Sequence, residues 1–266
     1  MTNYLKDKSS KLFLAFSAFF VANALIAECI GGKIFSLEKL FGFQPANLTI
    51  FGHSGLSFNL TCGVVLWPLE FILTDIINEF YGTKAVKRIS YTTISLISYA
   101  FLMFFISMKL PAADFWIGTN KDKGVDNMQN AFSAIFGQGL WIIIGSLVAF
   151  LFSQLTDVFV FHKIKKITGD KWIWLRATGS TLVSQLIDSY IVLIIAFKIG
   201  NNWSWTQVIA IGVVNYIYKA VVALLLTPVI MLLEKRIVKY LGKDVAEKMK
   251  KNAMGEPEEL NIPTAG

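Results

Sequence analysis

The chain has 266 residues, of which 55% are hydrophobic and 16% charged, with a net charge of +7 and a mean hydropathy of +0.56. Soluble domains carry about 25% charged residues. This shortfall of charge, with the apolar residues gathered in blocks of about 20, excludes a soluble globular protein and implies a polytopic membrane protein. The basic excess then reads as loops facing one side of a bilayer rather than as a nucleic-acid surface.

In chain order, residues 1–10 form a basic arm that runs into the first apolar block. No small-residue cleavage site follows it, so no cleaved signal is expected. Six spans are expected between residues 11 and 240: 11–34, 58–80, 89–109, 134–161, 180–199 and 207–233. The predicted fold class is all-α, a bundle of six transmembrane helices around a polar cavity at the membrane midplane. Residues 241–266 read as a cytoplasmic, disordered tail, charged and ending in GEPEELNIPTAG. Of the 25 Lys and Arg residues, 18 fall in the N-terminal arm with its border residue Lys11, the GTKAVKR loop, the 163–176 loop and the segment from Lys235 onward. That bias predicts both termini on the cytoplasmic side. Cys29 and Cys62 have no metal-ligand spacing and read as packing residues.

Ionisable residues inside spans cost about 2.5–3.5 kcal/mol each, so they survive by facing a partner, a wet cavity or a ligand. The first span carries Asn23 and Glu28. The second carries Glu70, Asp75 and Glu79, with Asp75 and Glu79 four apart on one helix face. Pro68 predicts a kink there, freeing the carbonyl of Val64, and Gly82 a helix end. Glu79 either snorkels to Lys84, Lys87 or Arg88, or faces the interior. Asp75 lies deeper and is expected to face the cavity.

The fourth and fifth spans nearly repeat each other, Ser153-Gln-Leu-Thr-Asp157 and Ser184-Gln-Leu-Ile-Asp188. Gln and Asp three apart share a face in each, either as paired clamps on a polar solute or as bonds between helices. Lys219, near the centre of the last span, is expected to pair with Asp188 or Asp75. His162 and Arg176 flank the basic loop, as headgroup contacts or as gating ion pairs with Glu79, Arg88 and Asp157.

Read together, WPLEFILTDIINEFYGTKAVKR, FSQLTDVFVFHKIKKITGDKWIWLRATGSTLVSQLIDSYIV and YKAVVALLLTPVIMLL resemble the queuosine precursor transporter family, also called vitamin-uptake-transporter-like. The most specific pieces are Thr-Asp-x-x-x-Glu-x-Tyr-Gly from Thr74 and Ser-Thr-x-x-Ser-Gln-x-x-Asp from Ser180. The resemblance implies a six-helix carrier importing 7-deazaguanine bases such as 7-cyano- or 7-aminomethyl-7-deazaguanine, precursors of a modified tRNA nucleoside. By position it carries over Asn23, Asp75, Glu79, Arg88, Gln154, Asp157, His162, Arg176, Ser184, Gln185, Asp188 and Lys219. Glu70 departs from the pattern and either enlarges the polar site or pairs locally. A carboxylate can accept two adjacent donors of such a base, and an amide can serve its carbonyl edge. Phe71, Phe150 and Tyr190 are candidates for its flat face.

No cofactor is expected. Proton coupling through Asp75 or Asp188 is raised by the depth of those acids. The expected partners are a nucleobase-like solute and the lipid bilayer of the inner membrane; a homodimer and a separate energising module stay open. The alternative reading is a solute-binding membrane subunit served by a separate ATPase, since the chain has no phosphate-loop motif of its own. An enzyme is not expected: His-Glu-x-x-His and Gly-x-Ser-x-Gly are both absent, and the chain has two histidines.

Overall fold

A computed structural model describes residues 7–137, 139–169 and 172–254. The first helix, α1 (Lys8–Ile30), starts where Asp7 accepts from the Ser10 amide at 2.9 Å. Two small antiparallel ribbons follow it. Strand β1 (Ile34–Ser36) leads into the short α2 (Leu37–Leu40), β2 (Leu48–Ile50) pairs with β3 (His53–Leu56), and β4 (Asn59–Thr61) returns to pair with β1. A 3₁₀ turn, Cys62–Val65, then feeds α3 (Trp67–Lys109).

The second span therefore begins at Trp67 rather than at residue 58, because β4 and the 3₁₀ turn occupy the stretch before it. Pro68 sits in the first turn of α3. The amides of a first turn have no helical partner to lose, so Pro68 starts the helix and does not kink it.

Helix α3 is 43 residues long. Straight, it would run about 65 Å, twice the thickness of a bilayer core. It is interrupted at Gly82, whose backbone stands at φ 80 and ψ 174, a region open essentially to glycine alone. Leu73 and Ile77 ahead of the break and Val86 and Ile89 behind it join one buried cluster with Phe20, Phe150 and Val158. Gly82 thus divides α3 into two arms packed on one cluster.

After α3 come α4 (Asp114–Ile117), a 3₁₀ turn and α5 (Met128–Phe136). Three long helices follow: α6 (Leu140–Thr168), α7 (Ile173–Leu193), which runs on as a π-helical stretch through Ile199, and α8 (Trp205–Leu241). Helix α7 packs between α6 and α8, while α1 and α6 flank α3. Five described helical segments are long and apolar enough to cross a membrane, α3 being one of them. Large apolar side chains stay exposed along their outer faces, among them Leu102 and Phe105 on α3 and Val221, Leu225 and Leu232 on α8. That surface suits lipid, not water.

The last element, α9 (Lys243–Met254), departs from the expected disordered tail. It packs on α3, burying Ala246 and Lys250. A Cβ added at Gly82 would come within 3.2 Å of Ala253 Cα. The many lysines of α9 hid the helix, whose few apolar residues are split, with Ala246 and Met249 against the core and Val245 exposed. Residues 255–266 lie outside the described residues.

Candidate functional site

Three polar constellations lie along one side of the first α3 arm. The lowest is centred on Glu79, fully buried. Arg176 of α7 grips it with both forks, Nε to Oε2 at 3.1 Å and Nη2 to Oε1 at 2.7 Å. Lys165 of α6 adds a contact at 3.0 Å, and Lys250 of α9 approaches at 3.6 Å while also pairing with Glu234 of α8. Arg176 Nη1 further donates to the Gly169 carbonyl at 2.9 Å. One carboxylate thus ties α3, α6, α7 and α9 together. Such a bidentate guanidinium grip is the strong form of ion pair.

One helical turn higher is Asp75, also fully buried, and neither of its oxygens makes a hydrogen bond among the described residues. Beside it, Thr74 Oγ1 donates to Gln154 Oε1 on α6 at 3.0 Å. Asp157, one turn along α6, accepts from Ser184 Oγ of α7 at 3.1 Å, with its second oxygen unbonded. The side-chain nitrogens of Gln154 and Gln185 are likewise buried without a hydrogen bond among the described residues.

The third constellation is a narrow cleft between the start of α3, α7 and α8, enclosing about 450 Å³ with its open mouth included. Trp67, Phe71 and Tyr218 give it flat apolar walls, and Thr181, Gln185 and Lys219 give it a polar edge. Lys219 is ion-paired with Asp188, the first of the two partners expected for it. The cleft therefore holds a hydrogen-bonding amide, a hydroxyl and a compensated cation beside aromatic faces. The chemistry of this lining suits a flat solute with a polar rim.

The other expected residues fall elsewhere. Asn23 donates to Glu70 Oε2 at 2.9 Å and to the Leu66 carbonyl at 3.1 Å, so Glu70 pairs locally across α1 and α3. Glu28 accepts from Ser146 of α6 at 2.9 Å. Phe150 stacks against Trp67, at 5.5 Å between centroids, behind the cleft wall. Tyr190 faces away from the cleft: a Cβ added at Gly212 of α8 would meet its ring at 2.5 Å, so the two helices touch through that glycine. Asp75 and Gln154 do not line the cleft either. Arg88 is exposed, apart from the Glu79 constellation it was expected to join, and His162 is half-buried on α6. Cys29 and Cys62 are free thiols.

Sequence reasoning missed Lys165, Lys250 and Tyr218. Lys165 and Lys250 look like ordinary loop and tail lysines, and no local signal sets them apart. Tyr218 stands directly before Lys219 and could have been found by asking what flanks a buried cation. Among the described residues no three of His, Cys, Asp and Glu come together to hold a metal ion.

A family model described as "Putative vitamin uptake transporter" matches residues 61–233. The chain belongs to this family. It is a family of transporters, and with several long apolar helices the chain is a multi-pass membrane protein. Over 122 residues it is 34% identical to the "Probable queuosine precursor transporter" of Bacillus subtilis (strain 168). That match covers 45% of this chain and 48% of the relative, about half of either protein. No solved structure matches.

Proposed function

We propose that the protein is a six-span carrier that imports 7-deazaguanine bases, precursors for a tRNA modification, across the inner membrane. The spans are α1, the two arms of α3, α6, α7 with its π-helical extension, and α8, with both termini and α9 in the cytoplasm. The observation that carries the reading is the cleft, whose aromatic walls and Gln185–Lys219 edge suit the face and rim of a deazapurine. Membership of a transporter family and the similarity to a relative named for queuosine precursors support it. Trp67, Phe71 and Tyr218 sandwich the ring system. Gln185 serves its amide edge, and the Lys219–Asp188 pair faces its polar substituents.

Thermal-shift measurements on purified protein with guanine, queuine and the 7-cyano and 7-aminomethyl bases test this. Stabilisation by one or more deazaguanines, and not by guanine alone, is expected. Gln185→Ala should weaken that binding roughly tenfold, for about 1.5 kcal/mol of lost hydrogen bonding to a buried edge. No response to any deazapurine would overturn the assignment of solute. Reconstituted protein that moves the base without another component would set aside the alternative, a subunit dependent on an ATPase.

A further inference from the structure

The solute cleft leaves the most unusual group in the bundle unused. Asp75 is fully buried on the first arm of α3, and both its oxygens lack a hydrogen bond among the described residues. The Thr74–Gln154 bond, 3.0 Å long, fixes its level against α6. Asp157 lies three residues beyond Gln154, on the same face of α6, and is equally buried. One of its oxygens is held by Ser184; the other is unbonded.

Among the described residues, the charged groups acting on Asp75 are Asp157 from α6, Glu79 from its own arm and Arg176 from α7. Arg176 is gripped by Glu79 through two bonds, so the nearest cation is already matched by a carboxylate. An ionised carboxylate presents about four acceptor sites, and Asp75 would satisfy none of them. Two neighbouring buried carboxylates do not both ionise without a cation or a proton between them. A protonated Asp75 avoids that cost and becomes a donor.

We propose that Asp75 and Asp157 form a coupling site that holds one exchangeable proton, separate from the solute cleft and linked to it through α7. The link is physical. Ser184, which bonds Asp157, directly precedes Gln185 at the cleft edge. Thr181, three residues before Ser184 and on the same face of α7, lines the cleft. A solute that engages Gln185 and Thr181 therefore pulls on the turn of α7 that carries Ser184, the donor to Asp157. The proton is taken from water on one side of the membrane and released to water on the other, moving with the solute. This coupling rests on the carrier reading above; the presence of the proton does not.

Infrared spectroscopy on reconstituted wild type, Asp75→Asn and Asp157→Asn tests the site without any solute. A protonated-carboxyl band at neutral pH that Asp75→Asn removes, and that Asp157→Asn removes or shifts, is expected. A spectrum unchanged by both substitutions overturns the site. Proteoliposomes test the coupling. Wild type should first show counterflow of 7-aminomethyl-7-deazaguanine with no ion gradient, and its absence counts against the carrier reading alone, leaving the infrared result to decide the proton site. With counterflow present, an inside-alkaline gradient of one pH unit should raise accumulation about tenfold for one proton per solute, since that gradient is worth about 1.4 kcal/mol. Asp75→Asn should abolish both this accumulation and the accompanying acidification of the lumen. Accumulation indifferent to pH, or driven instead by a sodium gradient, overturns the coupling.

Discussion

Glu79 and Asp75 stand one turn apart on the same helix arm, both wholly removed from solvent, yet their surroundings are opposite. Around Glu79 three cations converge from three other helices. Around Asp75 no donor among the described residues reaches either oxygen. The first arrangement resists change, because an ion pair stripped of one partner leaves an uncompensated charge in a dry interior. The second has little to lose and is poised for a group that comes and goes. Burial of an acid by itself therefore says nothing about its role; the count of its partners does.

The largest effect that would test this contrast is at Arg176. Replacing it with alanine should destabilise the protein by about 3 kcal/mol, at the lower end for a broken buried pair because Lys165 and Lys250 remain. Thermal unfolding in detergent measures it, and an unchanged midpoint would deny Glu79 its anchoring role.

Gly82→Ala should come next, costing about 1–3 kcal/mol for a side chain in a glycine-only conformation, with added crowding against Ala253. Earlier proteolytic cleavage within α9 should accompany it. An α9 that stays protected would show that the helix is held by Lys250 rather than by the close approach at the break.

Glu38 sharpens the comparison from outside the spans, as an acid compensated by donors instead of cations. Burial pushes its carboxyl up. Hydrogen bonds from the Phe58 amide at 2.7 Å, the Ser36 hydroxyl at 3.0 Å and the Ala46 amide at 3.4 Å outweigh that and hold it below the usual range. A depressed folded-state value means stability that is present above the unfolded value of about 4.3 and lost as pH falls through the folded one. Hydrogen-exchange protection of the Ala46 and Phe58 amides should drop in that acid window, and Glu38→Gln should flatten the dependence.

The smallest effect on stability belongs to Asp75→Asn, which should leave the unfolding midpoint unchanged, since the amide is as uncharged as the protonated acid and no observed hydrogen bond is lost. A drop comparable to that of Arg176→Ala would mean that Asp75 has a structural partner after all.

Much of this was legible in the chain. Runs of apolar residues marked the long helices, glycine at position 82 marked the break, and the cost of burying Lys219 pointed to Asp188. The family motifs marked the same regions. Other expectations failed for identifiable reasons. Pro68 could be a kink or a helix start, and only the strand and turn ahead of Trp67 decide which. Tyr190 and Phe71 look equally suited to a solute slot, but the packing of α7 on α8 sends the first onto Gly212, whereas the second stands on α3 in the cleft wall. Lys250 carries no sign of burial, because its site is made by residues from other helices.

By itself, then, the sequence determined the medium, the helical segments and the short list of acids, amides and cations that must be accommodated, because transfer cost and helical period act locally. The tertiary structure alone decided which of those groups compensate one another: three cations on Glu79 and, among the described residues, no hydrogen bond to Asp75. Pairing in a dry interior depends on how helices distant in the chain are rotated and stacked, and no local pattern encodes that rotation.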